Sequence, residues 1–200
     1  MINMSRYLKS KIRIIRKLGK LPGFTKKKTT RTNRPGENAS KFKDRNSEYL
    51  IRLEEKQKLR FNYGISESQL YNLIKKARKI NGATGLIVLQ LLEMRLDNII
   101  YRLGFTSTIP ESRQIINHSH ILVNNKLVNI PSFQCKKGDF INIKPKSKLF
   151  IINKLTPVTL PNFLKLDKKT LQGTVQSLVE RDQIELIINE LLVIECYSRR

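Results

Sequence analysis

The apolar pattern over residues 84–143 changes from a helical period to a strand period, and this change limits the folds open to the chain. Apolar residues recur every three to four positions from 84 to 103, and a second helical segment follows at 108–117. From residue 121 the period is two, which is typical of a half-buried strand. The strands are expected at 121–123, 126–130 and 140–143. The pair Asn124 and Asn125 tolerates positive φ and is expected to close a tight hairpin between the first two strands.

Further helices and strands are expected on both sides of this segment. One helix is predicted near residues 44–61, and the next begins at Ser66 and Gln69, which form an S-x-x-Q capping box. Thr108 and Glu111 have the spacing of a second capping box. Additional strands are expected at 149–152 and 163–166. Residues 179–190 fit either a short helix or a pair of strands.

The charge of the chain indicates a polyanionic partner. The 200 residues include 39 Lys and Arg against 16 Asp and Glu, a formal net charge of +23. A compact protein with this charge repels itself unless an anionic partner neutralises it. Nucleic acid is the first candidate and an anionic membrane surface the second. No apolar run approaches the roughly 20 residues that span a bilayer, so no membrane association is expected.

The basic N-terminal segment is the first predicted contact with phosphate. Residues 1–36 contain 12 Lys or Arg and no Asp or Glu, with one short helix expected near 8–18. A solvated tail is one interpretation. Apolar residues are interleaved with the charges, which favours an arm that becomes ordered against phosphate. The arm residues predicted to bind RNA are Arg6, Arg13 and Arg16.

A second basic stripe is predicted on the helix near residues 44–61. Arg52, Lys56 and Arg60 recur every four positions and therefore lie one above another on the helix. A solvated helix face is the alternative interpretation. The excess of basic over acidic residues in the surrounding chain favours RNA contact.

The segment from residue 90 onward carries its own basic and polar groups. Arg95, Asn98 and Arg102 are expected on the helix face opposite the apolar stripe. Arg95 and Arg113 have planar guanidinium groups that can bind phosphate through two hydrogen bonds. Further candidates in this segment are His118, His120, Lys126 and Lys136.

No catalytic or metal-binding motif is recognisable in the sequence. His118 and His120 could bind a metal, but no carboxylate or cysteine is close in sequence; polar groups at a helix end and RNA contacts remain the two open interpretations. The triplet at residues 95–97, RLD, also occurs in pseudouridine synthases, where the aspartate attacks the base. Here it lies within a helical pattern, so Asp97 is expected to order a neighbouring base or backbone amide. Cys135 and Cys196 are expected to be free thiols, and no cofactor or metal is predicted.

Several segments resemble one family over nearly the whole chain. LLEMRLDNIIYRLGF, ESRQIINHSHILVN and NIPSFQCKKGD are similar to its RNA-binding module, and INELLVIECYSRR is similar to its C-terminal end. The family is that of the fourth protein of the small ribosomal subunit, in its bacterial and plastid form. Relatives with N-terminal zinc-binding cysteines exist, but those cysteines are missing here.

The resemblance implies a fold, a function and partners. The implied fold is α+β: an all-helical domain with an inserted α/β RNA-binding module of two helices packed on an antiparallel sheet. The implied domains are a basic arm at 1–43, a helical domain at 44–88 completed by about 187–200, and the module at 89–186. The RNA-facing positions of the module are then Arg95, Arg113, His118, His120, Asn124 and Lys126.

The implied function is that of a structural, non-enzymatic constituent of the small subunit. Such a protein binds small-subunit ribosomal RNA early in assembly and contributes to translational accuracy. The implied partners are the fifth small-subunit protein and messenger RNA where it enters the subunit. The Ile-, Lys- and Asn-rich composition points to a plastid ribosome, with the bacterial cytoplasm as the alternative. A stand-alone RNA chaperone and an RNA-modifying enzyme carrying the same module are the rival functions.

Overall fold

The computed structural model describes residue 7 and residues 9–31, 33–36, 47–147, 159–167 and 170–198. This part of the chain contains seven α-helices and five β-strands. The helices are α1 (Lys11–Leu18), α2 (Glu48–Tyr63), α3 (Glu67–Ala77), α4 (Thr84–Glu93), α5 (Leu96–Arg102), α6 (Ile109–Asn117) and α7 (Glu190–Ser198). The strands are β1 (Ile121–Val123), β2 (Lys126–Leu127), β3 (Phe140–Ile143), β4 (Leu164–Asp167) and β5 (Gln172–Val175). The predicted α+β class is confirmed.

The chain divides into two compact units. The helical unit comprises Met1–Val88 and Leu186–Arg200, and the module comprises Leu89–Glu185. Within the described part of the chain, no helix is both long and apolar enough to cross a lipid bilayer.

The helical unit is built on α2, α3 and α7. The predicted capping box is confirmed, because the Ser66 hydroxyl accepts from the Gln69 amide while the Gln69 side chain accepts from the Ser66 amide. One face of α3 is buried, as its apolar period predicts; the buried residues are Leu70, Leu73, Ile74 and Ala77. Helix α7 packs along α2.

The arm is packed against α2 in this structure. Leu18, Leu21 and Phe24 are buried, and the Gly23 amide donates to the Asn62 side chain at 3.0 Å. The rings of Phe24 and Phe61 lie 5.8 Å apart. The described part of the arm is therefore ordered by apolar packing on its own protein, whereas the sequence suggested ordering by phosphate.

The module contains a five-stranded antiparallel sheet with strand order β2-β1-β3-β5-β4. The hairpin turn is confirmed, since Asn124 and Asn125 have φ angles of 50° and 62°. Helices α5 and α6 pack together, and Gly173 of β5 lies directly under Leu103 at the end of α5, where a Cβ would overlap the leucine. A larger residue at this position would force the Leu103 side chain to shift.

The prediction of one helix over residues 84–103 is wrong. Arg95 has an extended conformation, with φ −72° and ψ 142°, and forms an antiparallel bridge with Gln134. The Cys135 amide donates to the carbonyl of Met94, and the Leu96 amide donates to that of Phe133. A distant segment thus bonds to the backbone between α4 and α5, and the helix restarts at Leu96.

Other predicted caps and element boundaries also differ from those in the structure. Thr108 makes no side-chain cap, and the Glu111 carboxylate accepts from the amide and hydroxyl of Ser107, at 2.9 and 2.8 Å, so the predicted capping box is wrong. The strand predicted at 126–130 has only two residues. The helix or strand pair predicted at 179–190 is mostly irregular chain, with a 3-10 turn at Arg181–Gln183. The strand predicted at 149–152 and the starts of the helices predicted at 8–18 and 44–61 lie outside the described residues.

Candidate nucleic-acid interface

The arm retains exposed cations although its apolar residues are buried. Arg13 is exposed on α1. Lys26, Lys27 and Lys28 are exposed in the irregular segment that follows this helix. Arg16 is half-buried and donates to the Asn33 carbonyl at 2.9 Å, so it also holds the arm in place. Arg6 lies outside the described residues.

The basic stripe on α2 is matched by carboxylates. Arg52 lies 2.8 Å from both Glu48 and Glu195. Lys56 and Arg60 both contact Glu67, at 3.1 and 3.2 Å. Three cations thus face three carboxylates, and contact of these residues with RNA stays a prediction. Glu48 lies on α2 itself, whereas Glu67 belongs to α3 and Glu195 to α7. The local sequence around the stripe does not reveal these two distant partners.

Glu67 is the centre of this surface network. It accepts from the Tyr197 hydroxyl at 2.7 Å and from Lys56, whose ammonium also lies over the Tyr197 ring. Partial burial of Glu67 favours its neutral form, but the hydrogen bonds from Tyr197 and Lys56 outweigh burial and hold the pKa of Glu67 below its usual range. Burial, and then the bond to Glu67, raises the pKa of Tyr197. This network joins α2, α3 and α7.

Asp97 is the centre of a buried cluster in the module. Arg95 donates to it through Nε at 3.1 Å and Nη2 at 2.9 Å, and Arg113 donates through Nε at 2.8 Å. Arg95 is 4% exposed and Asp97 is 1% exposed. Arg95, predicted on the helix face opposite the apolar stripe, instead lies at the break between α4 and α5 and is buried. Asp97 orders two guanidinium groups, where the sequence suggested a base or a backbone amide.

A second buried cluster surrounds Glu93 at the end of α4. Its carboxylate accepts from Arg102 at 3.0 and 3.2 Å and from Asn98 at 2.6 Å. Arg102 also contacts Glu185 at 2.9 Å. Glu93, Asn98 and Arg102 are all buried, so the face predicted to be polar and exposed lies inside the module. In the Asp97 cluster, the side chain of Arg113 is 15% exposed, so this arginine lies at the edge of the cluster.

The two histidines follow α6 and lie near each other. His118 is exposed at the helix end, and His120 is half-buried with its Nδ1 2.8 Å from the Ser147 hydroxyl. Their ring centroids are 6.0 Å apart. Among the described residues, His, Cys, Asp and Glu side chains form no group of three suited to a metal ion. Polar contact with RNA stays a prediction for both histidines.

The hairpin places Asn124 and two lysines at the surface. The Asn124 side chain accepts from the Phe140 amide at 2.9 Å and donates to Asp139 at 2.8 Å, so this side chain fixes the turn against β3. Lys126 and Lys136 are exposed. Their ammonium groups form no ion pair with any described residue, which leaves both available to phosphate.

Three further exposed lysines of the module are not among the RNA-binding residues that the sequence predicts. Lys137 precedes β3, Lys144 follows it, and Lys165 lies within β4; all three are exposed and, within the described ranges, none forms an ion pair. These lysines lie near strand ends or at outward strand positions. The period-two pattern of the sequence could have identified them as exposed. The module thus buries two of its four arginines, Arg95 and Arg102, and presents lysines to solvent.

Two family models match adjacent parts of the chain. The N-terminal domain of ribosomal proteins S4/S9 matches residues 6–93, and the S4 domain matches residues 94–141. The small ribosomal subunit protein uS4c of Guillardia theta is 54% identical over 98% of this chain and 100% of its own length. The uS4c of Cyanophora paradoxa is 52% identical with the same coverage. The cyanobacterial uS4 of Picosynechococcus is 51% identical over 98% of this chain and 99% of its own.

The two family models cover adjacent domains, and the likeness to these relatives extends over both units of the fold. The chain belongs to the family of small ribosomal subunit protein uS4.

Proposed function

We propose that this chain is a structural constituent of the small ribosomal subunit that binds small-subunit ribosomal RNA and is not an enzyme. The observation that carries the proposal is the identity of 54% over the full length of a protein named for that subunit. The net charge of +23 supports it, because ribosomal RNA is the polyanion that such a surface would neutralise.

Phosphate neutralisation is the proposed basis of affinity. Exposed lysines in the arm and in the module release counterions when they meet phosphate, which makes binding weaken with salt. The buried clusters around Asp97 and Glu93 keep α5 and α6 in the orientation that presents Arg113, His118, His120 and Asn124. Arginines inside the module therefore position the RNA-facing groups, and lysines outside contact the backbone of the RNA.

Early binding to nucleate assembly and a contribution to translational accuracy are the finer parts of the proposal. Both rest on family membership. We also propose the fifth small-subunit protein as a neighbour and messenger RNA as a ligand where it enters the subunit. Exposed apolar side chains on the helical unit support a protein neighbour: Ile51 on α2 is 40% exposed, Leu191 on α7 is 66% exposed and Ile187 is 91% exposed.

The ribosome in question is a plastid ribosome, or a bacterial one as the alternative, because the relatives are plastid and cyanobacterial proteins. The full-length match favours this function over a stand-alone RNA chaperone and over a modifying enzyme built around the same module.

Sedimentation tests the proposal. The native protein should co-migrate with small subunits at moderate salt, and the purified chain should bind a small-subunit RNA transcript at least about tenfold more tightly than a large-subunit transcript of equal length. Free native protein, together with equal affinity for both transcripts, would favour the RNA chaperone.

A further inference from the structure

The outer face of the module sheet carries an exposed aromatic ring surrounded by amides. In β3 and β5 the buried positions alternate with outward ones, so Phe140 and Asn142 share a face with Gln172 and Thr174. Phe140 is 46% exposed. An open groove of about 470 Å³ lies over this face, and its lining residues are Asn124, Asn125, Phe140, Asn142 and Gln172. Among the described residues, one aromatic side chain and four amides line the groove.

The ring of Phe140 is held on a fixed backbone. The Asn124 side chain accepts from the Phe140 amide at 2.9 Å, and the Asn124 backbone amide donates to the Phe140 carbonyl at 2.9 Å. The strand pairs on its other side with β5, where Thr174 is opposite Phe140. A single exposed apolar residue needs no explanation by itself. Here the backbone that carries the ring is held by hydrogen bonds on both sides. A base that stacks on the ring therefore meets a ring in a fixed position.

The amides beside the ring retain hydrogen-bonding capacity. Asn142 and Asn125 share one hydrogen bond of 3.2 Å between their side chains. Whichever way the two amides are assigned, one oxygen and one nitrogen remain side by side without a partner among the described residues. Covering these groups with an apolar protein surface would leave them unsatisfied, which is unfavourable. The edge of a nucleobase offers both donors and acceptors.

The surroundings of the groove favour an anionic ligand. Lys165 of β4 lies opposite Thr174, in the same cross-strand row as Phe140, and it is exposed. Two acids are near, but Asp139 accepts from Asn124 and the Lys136 amide, and Asp167 accepts from the Thr170 hydroxyl. Both carboxylates keep their charge, but the exposed lysines of the module outnumber these two acids: Lys126, Lys136, Lys137, Lys144 and Lys165.

We propose that the groove binds one unpaired nucleobase of the RNA, with the base stacked on Phe140 and its edge hydrogen-bonded to Asn125, Asn142 and Gln172. The inference rests on the proposed function, since the base belongs to the RNA that the chain binds. Stacking on an aromatic ring is tolerant of base identity, and the amides add the contact to the edge. The groove thus binds a base without a partner strand, whereas the lysines contact the backbone.

The chain contains no tryptophan, so Phe140→Trp creates a single fluorescent reporter in the groove. With the full chain and a small-subunit RNA transcript, we expect tryptophan emission to be quenched on binding. A single-stranded oligonucleotide should compete for this quenching, and a duplex of equal length should not. The matched control is Leu178→Trp, because Leu178 is 59% exposed in the same unit but is not among the lining residues; its emission should change little.

Affinity gives the second readout. Phe140→Ala should weaken binding to the transcript about tenfold, and Phe140→Tyr, which keeps the ring, should restore it. Normal binding of the transcript by the Phe140→Trp variant, with unchanged tryptophan emission, would overturn this inference and leave the proposed function intact. Emission that changes only when other small-subunit proteins are added would assign the groove to a protein and overturn it too. Failure of the unmodified chain to bind the transcript would overturn both.

Discussion

The stripe on α2 and the cluster around Asp97 both match basic residues with carboxylates, but they do so in different surroundings. The α2 stripe is at the surface, where Glu67 has 34% of its side chain exposed. The Asp97 carboxylate is 1% exposed and bound by two arginines. Water screens the first set and cannot reach the second. The same residue types therefore make a modest surface network in one unit and an essential buried one in the other.

Arginine and lysine also have different roles in the module. Arg95 and Arg102 have planar guanidinium groups that satisfy buried carboxylates through two hydrogen bonds each. The exposed cations, by contrast, are mostly lysines, whose strongly hydrated ammonium groups favour the surface. In this module the arginines hold the structure together and the lysines present the charge.

Removal of the buried carboxylate should have the largest effect. We expect Asp97→Asn to destabilise the module by about 3–5 kcal/mol, because Arg95 and Arg113 would lose the carboxylate that compensates them in this cluster. Denaturation by urea, followed by a probe specific to the module, measures the loss. Asp182→Asn, at an exposed position, is the matched control and should be neutral. A loss below about 1 kcal/mol for Asp97→Asn would show that the burial of this cluster is not important.

Neutralising exposed lysines should instead change RNA binding. Substitution of Lys136, Lys137 and Lys144 by glutamine should reduce the slope of log affinity against log salt by up to about one unit per lysine that meets phosphate. The slope is measured by filter binding over a series of KCl concentrations. Arg52→Gln should leave it unaltered, because Arg52 already faces Glu48 and Glu195. A larger change in slope for Arg52→Gln than for the triple lysine variant would contradict the assignment of phosphate contact to the exposed lysines of the module.

The surface network should contribute to stability in a pH-dependent way. The pKa of Glu67 is lowered in the folded chain, so its contribution is present above the pKa of the unfolded chain and is lost as pH falls through the folded pKa. Glu67→Gln should therefore destabilise the helical unit slightly at neutral pH, by less than about 1 kcal/mol, and not at all in acid. Melting temperatures measured from neutral to acidic pH test this.

Tyr197→Phe sharpens that measurement. It keeps the ring and removes the hydroxyl that donates to Glu67. The Glu67 contribution should then be smaller, and its loss in acid should be complete at a higher pH than in the unmodified chain. Parallel curves for wild type and Glu67→Gln at every pH would show that Glu67 does not titrate differently in the folded state.

The smallest effect concerns the thiol beside the buried cluster. Burial, and then the charges of Asp139 and Asp97, raises the pKa of Cys135 to about 12. Cys135 is buried and Cys196 is partly exposed, so a thiol reagent at mildly alkaline pH should modify Cys196 alone until the chain is unfolded. Mass spectrometry of the labelled peptides identifies the site. Equal modification of both cysteines in the native chain would indicate that the module opens around Cys135.

Elements with local chemical signals could be predicted from the sequence. The Ser66 and Gln69 capping box, the buried face of α3, the Asn124 and Asn125 turn and strand β3 all depend on neighbouring residues, and all are confirmed. The free thiols are likewise as expected.

Features that depend on distant residues were missed. The break at Arg95 arises from its bridge to Gln134, and its burial follows from that break. Arg52 faces Glu195, 143 residues away, in addition to the neighbouring Glu48. A sequence pattern identifies a cation and its spacing, but the acid that faces it is brought there by the fold. The cations that remain exposed are recognisable only after those pairs are known.

The function proposed for this chain depends on exposed cations that bind the backbone of small-subunit ribosomal RNA. Filter binding of the unmodified full chain to a transcript of that RNA, repeated from low to high KCl, measures this dependence. We expect log affinity to fall linearly and steeply with log salt, by several units of slope, because several lysines release counterions on binding. Affinity that is independent of salt, or absent at every salt concentration, would contradict the proposed role of these cations.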